Sequence, residues 1–322
     1  VALRPWTPAF VPLVPGAIVV EAFACELPPA QLEAMAALQP APVWINLEYL
    51  SAEAWVAGCH GLASPHPRLP LVKHFFFPGF DAGSGGLLRE ADLLARRDRW
   101  CSQPEGAAGW FAAHGIKSSR DALRVSLFAY EQPDLPALFE AWADGDREVL
   151  VLVPESRVLG DVRRALGREC LQVGDRVERG ALVTCVLPFT DQAGYDVLLW
   201  ACELNFVRGE DSFVRAQWAA RPFVWQIYPQ ADAAHHDKLE AFLARYLQGL
   251  PAAEADALAR FWRAWNGYAS DRSSLAEAWP AFAAAVPALE LHARRWCDAQ
   301  AALPDLATAL DAFCSHIEHA AR

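Results

Sequence analysis

Two successive series of alternating strands and helices constrain most strongly what this chain can fold into. In the first series, apolar runs at 17–24, 43–50 and 70–80 alternate with helical segments, the longer of which (28–38) opens with prolines. Strands that are apolar without alternation, with a helix between each pair, are typical of a parallel sheet that helices cover on both faces. The first series therefore predicts a βαβαβ unit.

A second series of five apolar runs follows a polar KSSRD cluster that ends at 121. Its predicted strands are ALRVSLFAY (122–130), EVLVLVP (148–154), GALVTCVLPF (180–189), LNFVR (204–208) and PFVWQIYP (222–229), with helical segments between them. After these strands the pattern is helical only. The predicted fold class is α/β of the GT-B type, with two Rossmann-like domains facing each other across a cleft and a helical C-terminal tail. The predicted boundaries are 1–121, 122–298 and 299–322, the last a helix that packs back on the first domain.

Charge and hydropathy narrow the class of partner. The formal net charge is −11, and acids and bases are interspersed rather than grouped. The chain thus lacks the basic stripe that binds nucleic acid and the polybasic patch that binds a membrane surface. No apolar run reaches the roughly 18 residues that span a bilayer, and no charged leader with an apolar core opens the chain. We expect a cytoplasmic protein without nucleic acid or membrane partners.

Cysteine and histidine spacing predicts neither disulfides nor a metal site. The eight cysteines are scattered without a CxxC pair, and several lie within apolar runs. His316 and His319 are three residues apart but lack a convincing third ligand. We expect reduced cysteines and no bound metal.

Polar and aromatic side chains collect where the strands of the second domain end, which is where α/β folds bind ligands. Phe189 and Tyr195 can sandwich a planar base, and Gln192 offers a donor and an acceptor to a pyrimidine edge. Arg208 can donate two parallel hydrogen bonds to a diphosphate. The unpaired N–H groups of the helix that begins near Ser212 attract anions as well. Tyr130 and Tyr228 can donate phenolic hydrogen bonds to phosphate oxygens.

Each of these residues also has a structural interpretation. An aromatic side chain at a strand end is usually part of the core, and Asp211 or Ser212 before a helix is first an N-cap. The glycine-rich run GFDAGSGGLLRE (79–90) either approaches a ligand or forms a tight strand-to-helix turn. The convergence of many such residues on one edge favours a nucleotide-binding site.

Five phrases resemble the EarP family of bacterial protein-arginine rhamnosyltransferases nearly word for word. They are LNFVRGEDSFVRAQW, FVWQIYPQ, VLPFTDQAGYDVLLW, RVSLFAYE and HFFFPGFDAGSGGLLRE. The resemblance runs along essentially the whole chain. It implies an inverting GT-B enzyme that moves L-rhamnose from dTDP-β-L-rhamnose to an arginine of translation elongation factor P, with no metal or other cofactor.

The resemblance also implies roles for individual residues. Phe189, Gln192 and Tyr195 resemble the thymidine-binding group with Phe128 nearby, Tyr130, Arg208, Asp211, Ser212 and Tyr228 resemble the diphosphate site, and Glu210 resembles a carboxylate required for activity. Tyr195 stands where the family has phenylalanine, so stacking should survive.

One departure concerns the catalytic base. Members of this family open with a strand and helix that carry two aspartates, one of them the presumed base, and we expect that segment to lie upstream of Val1. Glu48 and Glu90 are acids near strand ends, but a solvated or salt-bridged state is the favoured interpretation of both.

The main alternative to this function is a truncated, catalytically dead module that binds dTDP-sugar or elongation factor P. A weaker alternative is a GT-B transferase with a different acceptor.

Overall fold

A computed structural model of the chain describes residues 3–7, 10–117, 119–230, 234–268 and 274–320. The chain divides into two compact units. The first unit combines Val1–Arg89 with Gln300–Arg322, and the second is Glu90–Ala299. Each unit contains one predominantly parallel sheet with helices. The predicted fold class is therefore confirmed, as two Rossmann-like units of the GT-B type with a C-terminal helix.

The first unit is built on a sheet in the order β1-β2-β4-β3. Its elements are β1 (Ile18–Ala22), α1 (Pro29–Ala36), β2 (Val43–Leu47), α2 (Val56–Cys59), β3 (Ala63–Pro65), β4 (Val72–Phe76) and α12 (Leu306–Ala320). β1, β2 and β4 are parallel and correspond to the three predicted strands. The short β3 was not predicted, and it pairs antiparallel with β4 at the edge.

The second unit is built on a sheet in the order β10-β9-β5-β6-β8-β7. Its strands are β5 (Leu123–Leu127), β6 (Val149–Pro154), β7 (Arg176–Arg179), β8 (Leu182–Leu187), β9 (Leu204–Arg208) and β10 (Phe223–Gln226). Five strands are parallel and match the predicted ones; β7 was not predicted and is antiparallel. The strand order reverses between β5 and β9, which makes this the switch point where such sheets bind ligands.

Helices cover the second sheet and continue beyond it. They are α3 (Leu93–Cys101), α4 (Gly106–Ala113), α5 (Leu135–Ala143), α6 (Leu159–Ala165), α7 (Gln192–Ala201), α8 (Asp211–Ala219), α9 (Ala234–Tyr246), α10 (Ala252–Trp265) and α11 (Leu275–Ala301). Aromatic side chains fill the space between sheet and helices. Phe213 stacks on Trp225 with ring centroids 3.9 Å apart, and Trp262 packs on Phe223 at 5.4 Å. These tryptophans therefore pack against the aromatic side chains of the sheet and of α8. Among the described helices, none has the length and apolarity to cross a membrane.

The first boundary lies earlier in the chain than the predicted position of 121. The segment that carries α3 and α4 belongs to the second unit. Its side chains Phe111 and Ile116 are buried in one cluster with Leu150 of β6 and Leu198 of α7. Apolar burial against this sheet therefore assigns the segment, whereas the polar KSSRD cluster only marks the loop that leads into β5.

Helix α12 belongs to the first unit, although it is the last helix of the chain. Its side chain Phe313 lies 5.4 Å from Phe76, 6.1 Å from His60 and 5.9 Å from His74, measured between ring centroids. Cys314 is buried with β2 and β4 in the same cluster. The carboxyl-terminal helix thus completes a core whose other residues lie more than 200 positions earlier in sequence.

Three partly buried imidazoles predict a pH-dependent stability. Burial lowers the pKa of His60, His74 and His292 below the usual 6.5. Because the unfolded chain then binds protons more readily than the folded one, stability is present above pH 6.5 and is lost as the pH falls through the folded pKa values. We expect the melting temperature to be lower at pH 5.5 than at pH 7.5 when thermal unfolding is followed at both.

The substitution His292→Gln should reduce this pH dependence, because glutamine does not titrate. Glutamine can still donate to the Tyr246 carbonyl, which His292 Nε2 contacts at 2.5 Å, so the fold should be kept. The matched control is His316→Gln on the exposed side of α12. A pH dependence that both substitutions reduce equally would contradict the assignment to buried histidines.

Candidate functional site

The candidate site lies at the carboxyl edge of the second sheet, around the switch point between β5 and β9. Phe128 and Tyr130 follow β5, Arg208 ends β9 and Tyr228 follows β10. The guanidinium carbon of Arg208 lies 4.4 Å from the ring centroid of Phe128 and 4.7 Å from that of Tyr130. Contact with two aromatic rings holds the cation by cation–π attraction. Side chains from two adjacent strands therefore meet as one group.

The Arg208 guanidinium is held in place by the two rings, but not all of its hydrogen-bond donors have a partner. Its Nε atom is buried and has no hydrogen-bond partner among the described residues. A buried donor without a partner costs free energy, which a bound acceptor would recover. An oxyanion at this edge is the ligand that best suits such a group.

Two tyrosines extend the group to β10. The rings of Tyr130 and Tyr228 meet edge to face, with centroids 5.5 Å apart. The Tyr228 side chain is 59% exposed, so its hydroxyl is available to a ligand. The structure thus brings together Tyr130, Arg208 and Tyr228, three of the predicted diphosphate residues.

The turn after Arg208 is fixed by backbone geometry. Gly209 has φ of +60°, a conformation that favours glycine. A Cβ atom at this position would lie 2.8 Å from the Tyr130 hydroxyl oxygen. The Gly209 N–H donates to the Gln226 carbonyl at 3.0 Å, and its own carbonyl accepts from Trp225 Nε1 at 2.7 Å. Glycine is therefore required both by the backbone and by the closeness of Tyr130.

Ser212 closes the same turn with its side chain. Its hydroxyl accepts from the Arg208 N–H at 2.9 Å and donates to the Arg208 carbonyl, and the residue is buried. The hydroxyl is thus engaged with the backbone, which leaves the N–H of Ser212 as its group for an anion. Asp211 begins α8 and Glu210 occupies the N-cap position. The first amides of this helix have no carbonyl partner within the helix, as at any helix start.

The predicted base-binding residues lie at the end of β8 and the start of α7. Phe189 is 75% exposed, and Gln192 is an exposed residue that begins α7. Tyr195 lies further in, with its ring 5.4 Å from that of Phe128. Burial raises the pKa of the Tyr195 phenol, against the opposing effects of Ser212 and Arg208, so it stays neutral. Phe189 and Gln192 are accessible to a ligand, whereas Tyr195 is half-buried against Phe128.

The two other candidate acids are engaged in interactions of their own. The Glu48 carboxylate accepts from Asn46 Nδ2 within the first unit. Glu90 pairs with Arg215, at 2.6 Å from Glu90 Oε2 to Arg215 Nη1. Burial acts to raise the pKa of Glu90, but the hydrogen bond and charge of Arg215 outweigh it and the pKa is lowered. The salt-bridged interpretation of Glu90 is therefore the one that the structure shows.

The glycine-rich run packs tightly over residues 79–89, which belong to the first unit. Cβ atoms on Gly85 and Gly86 would lie 2.2 Å from the Phe76 ring and from the Pro304 carbonyl oxygen, respectively. The Leu306 N–H donates to the Leu87 carbonyl at 3.0 Å. These contacts show that both glycines are needed for a tight turn, which packs against the segment that leads into α12.

Arg215 also pairs with a second acid, Asp196, which is buried. Its guanidinium pairs with Asp196 of α7 at 2.7 Å and 2.5 Å, and both side chains are nearly inaccessible. Burial raises the pKa of Asp196, and the hydrogen bonds and charge of Arg215 offset part of that rise. This ion pair ties α7 to α8, the two helices that begin at the candidate site.

Sequence reasoning missed two amide side chains next to this site, the buried Gln226 and the half-buried Asn266. Gln226 ends β10, and Asn266 follows α10. The Asn266 side chain accepts from the Ile227 N–H at 2.9 Å and donates to the Trp225 carbonyl at 2.8 Å. The available signal was a polar residue in the otherwise apolar run PFVWQIYP, because a buried amide must have hydrogen-bond partners.

Removing Arg215 should destabilise the second unit strongly. The substitution Arg215→Met removes the close partner of buried Asp196 and leaves only Arg96, at 4.0 Å, so we expect a loss of about 3–5 kcal/mol in the free energy of unfolding by urea. The control is Arg263→Met. Arg263 contacts Glu240 at 2.7 Å through two nitrogens, but both side chains are more than 30% exposed, so we expect a loss of at most ~1 kcal/mol. Equal losses would show that burial does not set the strength of the Arg215 pair.

Comparison with known proteins connects this geometry to a family. The sequence model of the family described as "Elongation-Factor P (EF-P) rhamnosyltransferase EarP" matches residues 1–315.

Within the described residues, no group of three histidine, cysteine, aspartate or glutamate side chains could hold a metal ion.

Curated relatives match over nearly the whole chain. A protein-arginine rhamnosyltransferase of Pseudomonas putida is 50% identical over 313 residues, which are 97% of this chain and 82% of the relative. The protein of the same name from Pseudomonas aeruginosa is 48% identical over 313 residues, with the same two shares. That of Shewanella oneidensis is 41% identical over 326 residues, again with 97% and 82% covered.

A solved structure is also similar. It concerns the structural basis for EarP-mediated arginine glycosylation of translation elongation factor EF-P, and it matches with a TM-score of 0.69 and 46% identity. The match covers 75% of this chain and 76% of that chain. The chain therefore belongs to the EarP family of protein-arginine rhamnosyltransferases, which are glycosyltransferase enzymes.

Proposed function

We propose that this chain transfers L-rhamnose from dTDP-β-L-rhamnose to an arginine guanidinium of translation elongation factor P, with inversion at the anomeric carbon. The single observation that carries the donor half is the Arg208 guanidinium, held by two rings at the switch point with its Nε unpartnered among the described residues. Membership of the EarP family supports the acceptor. Because that acceptor is a translation factor, we place the reaction in the cytoplasm.

The donor nucleotide would bind through the residues at the ends of β5 and β8. Phe189 offers an exposed ring to thymine, and Gln192 offers a donor and an acceptor to the pyrimidine edge. Phe128 and Tyr195 form the apolar wall of this pocket, with their rings in contact. A stacked ring contributes roughly 1–3 kcal/mol per base.

The diphosphate would bind beside it. Arg208 can donate two parallel hydrogen bonds, and Tyr130 and Tyr228 can donate one each. The amides of Asp211 and Ser212 at the start of α8 add the partial positive charge of a helix N-terminus. The leaving group thus meets donors that are in place before the reaction, which is how enzymes stabilise developing charge.

The chemical step replaces one bond to the anomeric carbon by another. An acceptor guanidinium nitrogen attacks from the face opposite the diphosphate, the carbon–oxygen bond breaks, and its electron pair leaves on dTDP. The guanidinium has a pKa above about 12, so a proton must pass from the attacking nitrogen to a base for neutral nitrogen to add. An acid beside a diphosphate opposes its binding by charge. We therefore propose that the Glu210 carboxylate contacts the sugar or the acceptor rather than the phosphates.

We propose further that no metal takes part. Arg208 and the start of α8 would supply the positive charge that a metal gives to diphosphates in other transferases.

Incubation of the native protein, as its gene encodes it, with dTDP-β-L-rhamnose and elongation factor P tests the activity. We expect mass spectrometry to show one deoxyhexose added to an arginine of the factor, and added EDTA to leave the rate unchanged. A factor whose acceptor arginine is replaced by lysine is the control. Binding of dTDP without transfer would favour a catalytically dead binding module, and loss of activity in EDTA would contradict the metal-free mechanism.

The substitution Gly209→Ala tests the donor site. Alanine would be strained at φ of +60° and its Cβ would displace Tyr130, so we expect ~10-fold weaker dTDP binding by calorimetry and a loss of about 1 kcal/mol in stability. The control is Gly167→Ala. Gly167 has φ of +62° but no atom within 4 Å of its ideal Cβ position, so the stability loss should be similar and dTDP binding unchanged. Equal dTDP affinities in the two variants would contradict the placement of the diphosphate beside Tyr130.

A further inference from the structure

The side chain of Gln226 connects strands that are not neighbours in the sheet. Gln226 ends β10, and β9 separates β10 from β5. Its Oε1 nevertheless accepts from the Tyr130 N–H at 2.8 Å, in the loop after β5. Its Nε2 donates to the carbonyl of the next residue, Glu131, at 3.2 Å. The amide therefore spans the carboxyl end of β9, where the strand order reverses.

The backbone of Gln226 holds the middle strand as well. Its carbonyl accepts from the Gly209 N–H at 3.0 Å, and Gln226 is the register partner of Arg208. One residue thus fixes the start of the loop after β5 and the turn after β9. These are the two segments whose side chains, Tyr130 and Arg208, face each other at 4.7 Å.

The chemistry of this contact makes it specific for an amide. Gln226 is only 5% exposed, so water is a poor substitute for its partners. The Tyr130 N–H and the Glu131 carbonyl lie next to each other and need one acceptor and one donor at a fixed spacing, and the buried Gln226 amide supplies both. An apolar side chain of the same length would leave the Tyr130 N–H and the Glu131 carbonyl without these partners.

We propose that Gln226 is a positioning residue for the donor diphosphate. It acts through Tyr130 and the Gly209 turn, because its own side chain is too buried to reach a ligand. By holding the loop after β5 against the turn after β9, it keeps the Tyr130 hydroxyl and the Arg208 guanidinium at the spacing that one diphosphate requires. This inference rests on the proposed function, which places a diphosphate at these two residues.

A matched control separates positioning from simple stability. Gln217 is a second buried glutamine of the same unit, 1% exposed, near the opposite end of α8. Its Oε1 accepts from Trp296 Nε1 at 2.8 Å and its Nε2 donates to the Phe213 carbonyl at 3.3 Å. Gln217 therefore resembles Gln226 in burial and in hydrogen-bond count, but its side-chain hydrogen bonds go to Phe213 and Trp296 and not to the residues of the candidate site.

The experiment compares Gln226→Met with Gln217→Met in the full chain. Both should lower the melting temperature by similar amounts. Only Gln226→Met should weaken dTDP binding, measured by calorimetry, by about 10-fold or more, because displaced donors no longer meet the diphosphate oxygens at hydrogen-bond distance. A third variant, Gln226→Glu, restores an acceptor and a donor when its carboxyl is protonated. Its dTDP affinity should therefore recover as the pH is lowered from 8 to 6, relative to the unchanged protein at each pH.

The outcomes distinguish this inference from the function on which it rests. If the unchanged protein binds no dTDP, the proposed donor is wrong and the inference falls with it. If the unchanged protein binds dTDP and Gln226→Met binds it within twofold, only the inference is overturned. Equal weakening by Gln217→Met would assign the effect to general destabilisation and would also overturn it.

Discussion

The hydroxyl of Ser212 bonds to both the N–H and the carbonyl of Arg208, and the candidate donor site depends on the turn that these bonds close. The turn passes through the left-handed conformation of Gly209 and leads directly into α8. It therefore directs the Arg208 side chain towards Phe128 and Tyr130 on the neighbouring strand segment. It also brings the first amides of α8 to the same edge. A single short segment supplies a fixed cation and a helix N-terminus, which are the two features that bind an anion.

The parallel strands were predictable because each is an apolar run bounded by turn residues. A strand that is buried on both faces must be apolar along its whole length, which makes it visible in the sequence. The edge strands β3 and β7 were not, since three or four partly exposed residues carry no apolar run. The division of the chain was also hidden. Local polarity at KSSRD suggested a boundary, but burial of Phe111 and Ile116 against a sheet formed later in the sequence decides it. Such long-range contacts leave no local trace.

The site residues were predictable to the extent that strand ends are. Once β5, β8, β9 and β10 were placed, the rule for parallel sheets brought Tyr130, Arg208 and Tyr228 to one edge. What the pattern could not show is how each group is used. Ser212 is a polar residue at a helix start, and only the structure shows that its hydroxyl is committed to the backbone. Glu90 likewise lies near a turn, and only the fold brings Arg215 to it.

The buried pair of Arg215 and Asp196 has an electrostatic consequence for the same edge. The net charge of the chain is −11 and the proposed donor is itself anionic, so acids near the edge would oppose its binding unless they are neutralised. Asp196 lies in the second turn of α7 and Arg215 in the second turn of α8, and both helices begin at the candidate site. Pairing cancels the buried negative charge where the dielectric screening is weakest. The positive charge of Arg208 is then left to act on a ligand, because the guanidinium contacts two aromatic rings and no carboxylate of the described residues forms an ion pair with it.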